Sequence, residues 1–288
     1  MSANQNTLLE VGRLSVKFSG RYMQPYSHRK SPHKFTQAQL MACLILRAYL
    51  KATYRGIVEV LQTSEALQTC LGLQQLPYYS TLKYFADRSD TLAIVDAILA
   101  DVVRQVMAQS GAVDQAVAID STGVESTSAS AYFNTRRGRK QKRYVKLSLC
   151  VTCGTLLPAS VVLSWGPCND KAVAWPLLEK TRAVIQPKTL LADAGYDAEW
   201  IHQYCRDDWQ VTSWIPPAVH RQDGTVNGKY RSKMTPRRLT RHGYGQRWMV
   251  ESFISGLKRT TGSMLAARQK SSLFVEAALR VLAYAIRR

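Results

Sequence analysis

The sequence predicts a mixed α/β sheet flanked by helices and preceded by an all-helical segment. Three observations predict it. The first 110 or so residues carry apolar positions only at helical spacing. From Ala112 the texture changes, and short apolar or alternating runs that read as strands take turns with helical segments. Two of those strand-like runs close on an aspartate.

Residues 1–34 carry Arg13, Lys17, Arg21, Arg29, Lys30 and Lys34 among Ser, Pro and His, and read as a basic, loosely structured arm. Residues 35–111 read as a helical domain. Leu40, Cys43, Leu44, Leu46 and Ala48 lie on a helix that Thr36 is placed to cap, and a second short helix covers Tyr54–Leu61. A third runs from Ser64 to Leu71 and stops at Gly72. Pro77-Tyr78-Tyr79-Ser80-Thr81 is a break, and Ser80 or Thr81 starts a helix through Phe85. The next helix, Thr91–Gln109, ends at Ser110-Gly111. These lengths suit a helix-turn-helix and hence a DNA end-binding domain; simple packing or dimerisation is the alternative.

Residues 112–288 form the second predicted domain. Val117-Ala118-Ile119-Asp120 reads as a strand with a carboxylate at its end. Residues 144–151 and 156–164 make a hairpin around Gly154. Lys171–Ile185 is helical, with a local start signal at Trp175-Pro176. Thr189–Asp193 is another strand closing on an acid. Asp197–Arg206 is a helix, and Gln210–Ile215 a strand that Pro216-Pro217 stops. Residues 216–242 form a short basic insertion, read as a loop or small hairpin. Helices over Gly243–Lys258 and Leu273–Ile286 complete the chain. Three antiparallel strands followed by alternating helices and strands describe an RNase H-like fold.

Charge narrows the function classes. Among 288 residues, 39 Lys and Arg face 20 Asp and Glu, a net charge of +19. Such an excess repels itself and is offset by a polyanionic partner, nucleic acid above all. An anionic membrane surface is the other candidate, but no amphipathic helix with a clean Lys/Arg face stands out, and neither a secretory signal nor a membrane-length apolar run is seen. Six scattered cysteines do not make a disulfide framework, and the lone Cys150-x-x-Cys153 pair falls in an alternating run, where strand filler is expected rather than zinc. The expected compartment is a reducing cytoplasm.

Side chains at the ends of neighbouring strands in such a sheet meet in a crevice where ligands bind. Asp120 and Asp193 are placed to meet there, and a divalent cation would remove their mutual repulsion. Capping of the following turn is the alternative for each. Glu251 is the third acid. At about 100° per residue, Tyr244, Arg247, Glu251 and Lys258 fall within an arc of roughly 60°, with Met249, Val250, Phe253, Ile254 and Leu257 opposite. A solvated stripe with an Arg247–Glu251 salt bridge is the other reading.

The run Tyr244-Gly-Gln-Arg247-Trp-Met-Val-Glu251-Ser-Phe-Ile-Ser-Gly-Leu-Lys258 resembles the Y-(2)-R-(3)-E-(6)-K signature of DDE transposases of bacterial insertion sequences, with every spacing matched. Ala118-Ile119-Asp120-Ser-Thr-Gly resembles that family's first aspartate block, and Leu191-Ala192-Asp193-Ala-Gly-Tyr-Asp its second. The likeness runs from the helical segments at 35–61 and 77–85 to the C-terminus. It implies that Asp120, Asp193 and Glu251 are catalytic and hold two Mg2+ ions, with Mn2+ able to substitute. It also implies cleavage at transposon ends and transfer of the 3′-hydroxyl end into target DNA. The implied partners are double-stranded DNA, as terminal inverted repeats and as target, and a second copy of the chain in the DNA complex, in the cytoplasm at the nucleoid. A nuclease or resolvase without strand transfer, and a catalytically silent DNA-binding descendant, are the competing readings.

Tyr244, Arg247 and Lys258 are the expected phosphate grips beside the cut, with Arg offering a bidentate fork. Two basic clusters extend that track: Arg136, Arg137, Arg139, Lys140, Lys142, Arg143 and Lys146, then Arg221, Lys229, Arg231, Lys233, Arg237, Arg238 and Arg241. Trp214 and Trp248 are candidates for base stacking, although core packing is the stronger expectation for both. Asp170 and Asp197 read as helix caps, and Glu125 as a spare ligand.

Overall fold

The computed structural model describes residues 6–110, 116–126, 144–218 and 225–288. Contacts divide these into two compact units. The described residues of 1–102, 125–142 and 257–288 form one, and those of 103–124 and 143–256 the other. No helix among the described residues is long and apolar enough to cross a membrane.

The first unit is built on helices whose starts are written in the sequence. Thr36 and Gln39 close a reciprocal capping box at the head of α2, Gln37–Tyr49. Thr53 caps α3, Tyr54–Gln62, and Ser64 caps α4, Glu65–Leu71, which ends on Gly72 at φ +66°, where a side chain would be strained. The helix α5 covers Tyr79–Ala86, and α6 covers Thr91–Ser110. Met41 to Leu46 of α2 are fully buried. The reason is that α2 is packed against both α1, Thr7–Ser19, and the C-terminal helix Lys270–Arg287.

Two expectations are corrected here. The basic N-terminal stretch is not loosely structured over α1: Asn6 caps it, and Val11, Ser15 and Phe18 are buried. Apolar residues at 11 and 18 are a helical repeat that the surrounding cations obscured. The C-terminal helix, assigned by sequence order to the sheet domain, packs on the N-terminal helices instead.

The second unit holds the sheet, in the order β3-β2-β1-β4-β5. The central strand β1, Ala116–Ser126, runs antiparallel to β2, Tyr144–Thr152, which pairs antiparallel with β3, Pro158–Gly166. On its other side β1 is parallel to β4, Thr189–Ala192, itself parallel to β5, Thr212–Trp214. The last two residues of β1, Glu125 and Ser126, fall in the first unit, where a short β6, Met264–Leu265, pairs with them. Three antiparallel strands continued by two parallel ones, with helices around them, make the RNase H-like mixed sheet that the strand order predicts.

One face of this sheet is covered by α7, Asp170–Arg182, and α8, Glu199–Gln203, with the turn that follows it. Val117, Ile119, Cys150, Leu190 and Ala192 meet Leu177, Leu178, Ile201 and Trp209 there. Burying each large aliphatic side chain contributes about 1.5–3 kcal/mol. Cys150 is filler in this core. Helix α7 starts at Asp170, capped by Asn169, and passes through Pro176 rather than starting there. Residues 216–242 are not wholly loop: α9, Pro236–Arg241, lies within them, capped by Thr235. The predicted helix at 243–258 opens as a 3-10 turn, Tyr244–Arg247, and becomes regular as α10, Trp248–Thr261.

Candidate active site

Register brings the two aspartates together. Ile119 of β1 lies opposite Ala192 of β4, so the next residue on each strand line is an acid. Asp193 is the first residue beyond β4, whereas β1 continues to Ser126. Asp120 therefore does not end its own strand, as the sequence suggested; it is the first residue of β1 left without a β4 neighbour. Side chains alternate along a strand. Val117, Ile119, Leu190 and Ala192 face the helix-covered core, so Asp120 and Asp193 share the opposite face.

Each aspartate is held by a local backbone hydrogen bond. Oδ1 of Asp120 accepts from the Ser121 N–H at 2.7 Å. Oδ1 of Asp193 accepts from the Gly195 N–H at 2.9 Å and caps a 3-10 turn, Ala194–Tyr196. Turn capping, the alternative explanation of these acids, is thus real for one oxygen of Asp193.

The third acid arrives through Tyr244. Its hydroxyl donates to the Ala192 carbonyl at 3.0 Å, which fastens the 3-10 turn to the residue before Asp193. One turn later, Nη1 of Arg247 lies 3.7 Å from Oδ2 of Asp120, and Nη2 bonds Oε1 of Glu251. A single guanidinium spans the two carboxylates. On α10, Val250, Phe253 and Leu257 are buried and Glu251 is exposed, as the spacing predicts, whereas Met249 and Ile254, expected on the same apolar side, are only half-buried.

The electrostatics agree with this geometry. Burial pushes the Asp120 carboxyl above the usual carboxylate range, and the Ser121 N–H opposes that; the Asp193 charge raises it further, Arg247 pulls it down, and Glu251 raises it. Asp120 therefore feels both other acids, with Arg247 the cation beside it. Burial also raises the Tyr244 hydroxyl, so it stays protonated and able to donate.

Behind the acids stands a layer that sequence reading missed. Ser121 Oγ bonds both Ser148 Oγ and the Tyr196 hydroxyl, each at 2.8 Å, and Tyr196 is fully buried. Lys146, expected on a phosphate track, is instead buried, 2.8 Å from Oδ1 of Asp170, and donates to the Cys168 carbonyl. Asp170 thus pairs with Lys146, and Asn169 is the cap. A Cβ on Gly195 would lie 2.9 Å from Asp193 Oδ1 and 3.2 Å from Asp170 Oδ2, so any larger residue there would push the Asp193 carboxylate aside. Ser121, Gly195 and Tyr196 stand inside the two aspartate motifs, which is the signal that could have found them. Nothing in the sequence pairs Lys146 with Asp170.

The other expected DNA-facing residues divide. Arg237 and Arg238 are exposed on α9, and Lys258 lies seven residues after Glu251 on α10. Arg231 does not join a track: it forms a two-armed pair with buried Asp197, at 2.7 and 2.6 Å. Asp197 accordingly caps no helix. Lys229 pairs with Asp207. Trp214 packs on His242 with ring centroids 4.1 Å apart, as expected, but Trp248 is 57% exposed and is not core. Arg136, Arg137, Arg139, Lys140, Lys142, Arg143 and Arg221 lie outside the described residues.

Three carboxylates are the hard oxygen donors that Mg2+ prefers. Two of them, Asp120 and Glu251, share the Arg247 guanidinium, so the place between these two accepts a positive charge. As the side chains stand, no group of three or more His, Cys, Asp or Glu among the described residues is close enough to hold one ion together. Arg247 lies between Asp120 and Glu251.

The chain matches the transposase DDE domain family over residues 111–286, more than half of its length, and it belongs to that family. No curated protein matches it.

Proposed function

We propose that this chain is the transposase of a bacterial insertion sequence, of the group with the Y-(2)-R-(3)-E-(6)-K signature. It cleaves DNA at the transposon ends and joins the freed 3′-hydroxyl to target DNA. The observation that carries this reading is the single guanidinium of Arg247 reaching Asp120 and Glu251, on the sheet face where Asp193 emerges. Asp120, Asp193 and Glu251 would hold two Mg2+ ions. When bound, such ions activate a water or 3′-hydroxyl and stabilise the leaving oxygen of an in-line displacement.

The chain's own residues do the rest. Tyr244 commits its one proton to the Ala192 carbonyl; it orients the Arg247 turn and grips no phosphate as a donor. Arg247, released from the carboxylates, offers a two-pronged grip on the phosphate beside the cut. Exposed Arg237 and Arg238 offer further cations to the DNA backbone, as does Lys258, and exposed Trp248 is available to stack on an unpaired base. Pairing of two DNA ends calls for a dimer in the complex.

The test is Mg2+-dependent cleavage of DNA from the flanks of the chain's own gene, alongside a precleaved 3′-hydroxyl end offered for joining. The wild type is expected to cleave and to join, and Asp120→Ala, Asp193→Ala and Glu251→Ala to bind DNA without doing either. Cleavage with no joined product would make the protein a nuclease or resolvase. Wild-type behaviour identical to that of the alanine variants would make it a silent DNA-binding descendant.

A further inference from the structure

The helical unit contains a cavity of about 380 Å3, lined among others by Arg47, Tyr54, Lys83, Arg268, Gln269 and Ser272. It falls within the roughly 300–1,000 Å3 range of small-molecule sites. Its most unusual lining residue is Arg47, only 4% exposed. A guanidinium has five N–H donors, yet that of Arg47 donates no hydrogen bond among the described residues, and its Nε is buried without a partner. Its neighbours are the Tyr54 ring, 4.0 Å from the guanidinium carbon to the centroid, and a carboxylate oxygen of Glu276 at 3.8 Å.

Glu276 does not satisfy it. That carboxylate accepts from the Ala266 and Ala267 N–H groups at 3.1 and 2.8 Å and pairs with Arg280 at 2.7 Å. The other nearby acid, Asp87, bonds Lys83 and the Ser272 hydroxyl. Glu276 is thus shared between Arg280 at 2.7 Å and Arg47 at 3.8 Å, too far to accept a hydrogen bond from Arg47, and exposed Arg268 adds a further positive charge. A buried guanidinium without an acceptor costs free energy unless a ligand supplies one.

The fold adds a third donor group. The C-terminal helix, now α11, Lys270–Arg287, begins at this cavity: its cap Gln269 makes no side-chain capping bond, and first-turn Ser272 lines the wall. The opening N–H groups of an 18-residue helix carry partial positive charge and favour an anion.

We propose that this cavity is a phosphate-binding site, in which Arg47, Arg268 and the amino end of α11 hold one phosphate group of a nucleotide or of a DNA strand. Inorganic phosphate would leave part of the volume empty, and a sugar attached to the phosphate fills it. The site does not depend on the chemistry proposed for Asp120, Asp193 and Glu251.

Calorimetric titration of the full chain tests this with deoxyadenosine 5′-monophosphate, deoxyadenosine and inorganic phosphate as probes. The monophosphate is expected to bind about tenfold or more tighter than the nucleoside, and inorganic phosphate to compete with it. Arg268→Gln, a surface change that leaves packing intact, should weaken the monophosphate about tenfold, and Arg47→Gln should weaken it further. A duplex oligonucleotide without terminal phosphates that displaces the monophosphate identifies the DNA backbone as the source. One that does not assigns the site to a free or terminal phosphate. Equal affinity for nucleoside and monophosphate, or an unchanged affinity in Arg268→Gln, overturns the proposal. The Arg268 arm stands alone if Arg47→Gln does not fold.

Discussion

The side chain of Asp120 is 20% exposed and has two further carboxylates in range, so the folded chain holds it in a costly place for a negative charge. Its folded pKa is raised above the unfolded value. Such a group favours folding below the unfolded value and loses that contribution as pH rises through the folded one. Without divalent cations, Asp120→Asn is therefore expected to raise the melting temperature at pH 7, and the gain should fade toward pH 4. Thermal denaturation across that range checks it; a variant less stable than wild type at pH 7 contradicts the stated balance. His202 shows the opposite sign. Fully buried, with Ser213 Oγ 2.7 Å from Nδ1, it is pushed down to about 4 by burial, with the Arg206 charge helping. A depressed histidine stays neutral when folded and charges when unfolded, so stability is lost as pH falls from 6.5 toward 4. His202→Gln should flatten that stretch of the acid-unfolding curve, and an unchanged slope would sink the assignment.

Among the elements, the 3-10 turn Tyr244–Arg247 decides whether α10 delivers Glu251 to the sheet. Tyr244→Phe removes the bond to the Ala192 carbonyl, about 1 kcal/mol in stability, and should reduce DNA cleavage more than DNA binding. Loss of binding with cleavage per bound complex unchanged would mean that the hydroxyl serves DNA directly. Gly195→Ala forces a methyl against the Asp193 carboxylate and is expected to lower cleavage in a folded protein; circular dichroism and a cleavage assay separate the two effects. The same elements show what is legible in a chain read alone. Caps, apolar periods and the Gly72 stop fixed α2 to α6 nearly to the residue, because those signals are local. The extension of β1 past Asp120 was not legible, since Ser121 and Gly123 break the apolar run and lone Thr122 does not carry a strand by itself; pairing with β2 holds all three. Helix α1 was hidden by its cations, and the Lys146–Asp170 and Arg231–Asp197 pairs join residues far apart in sequence. The three acids could be picked out because their motif spacings sit in the sequence; the guanidinium reaching two of them is a tertiary fact.

For the whole molecule, a charge of +19 means that DNA binding is expected to be strongly salt-dependent, as counterions leave each neutralised phosphate. The logarithm of affinity should fall steeply with the logarithm of salt. Arg237→Ala with Arg238→Ala should make that slope shallower by about one unit for each phosphate no longer neutralised. A slope unchanged by the double variant would take α9 off the DNA path. The central claim is that Asp120, Asp193 and Glu251 act as one cation site although the chain separates them widely. Titration of Mn2+ into the full chain, followed by electron paramagnetic resonance, tests it most directly. Binding by the wild type, with about tenfold or greater weakening in each of Asp120→Asn, Asp193→Asn and Glu251→Gln, is the result predicted. Binding that survives any one of these substitutions unchanged, or a wild type that binds no Mn2+ with or without DNA, would contradict it.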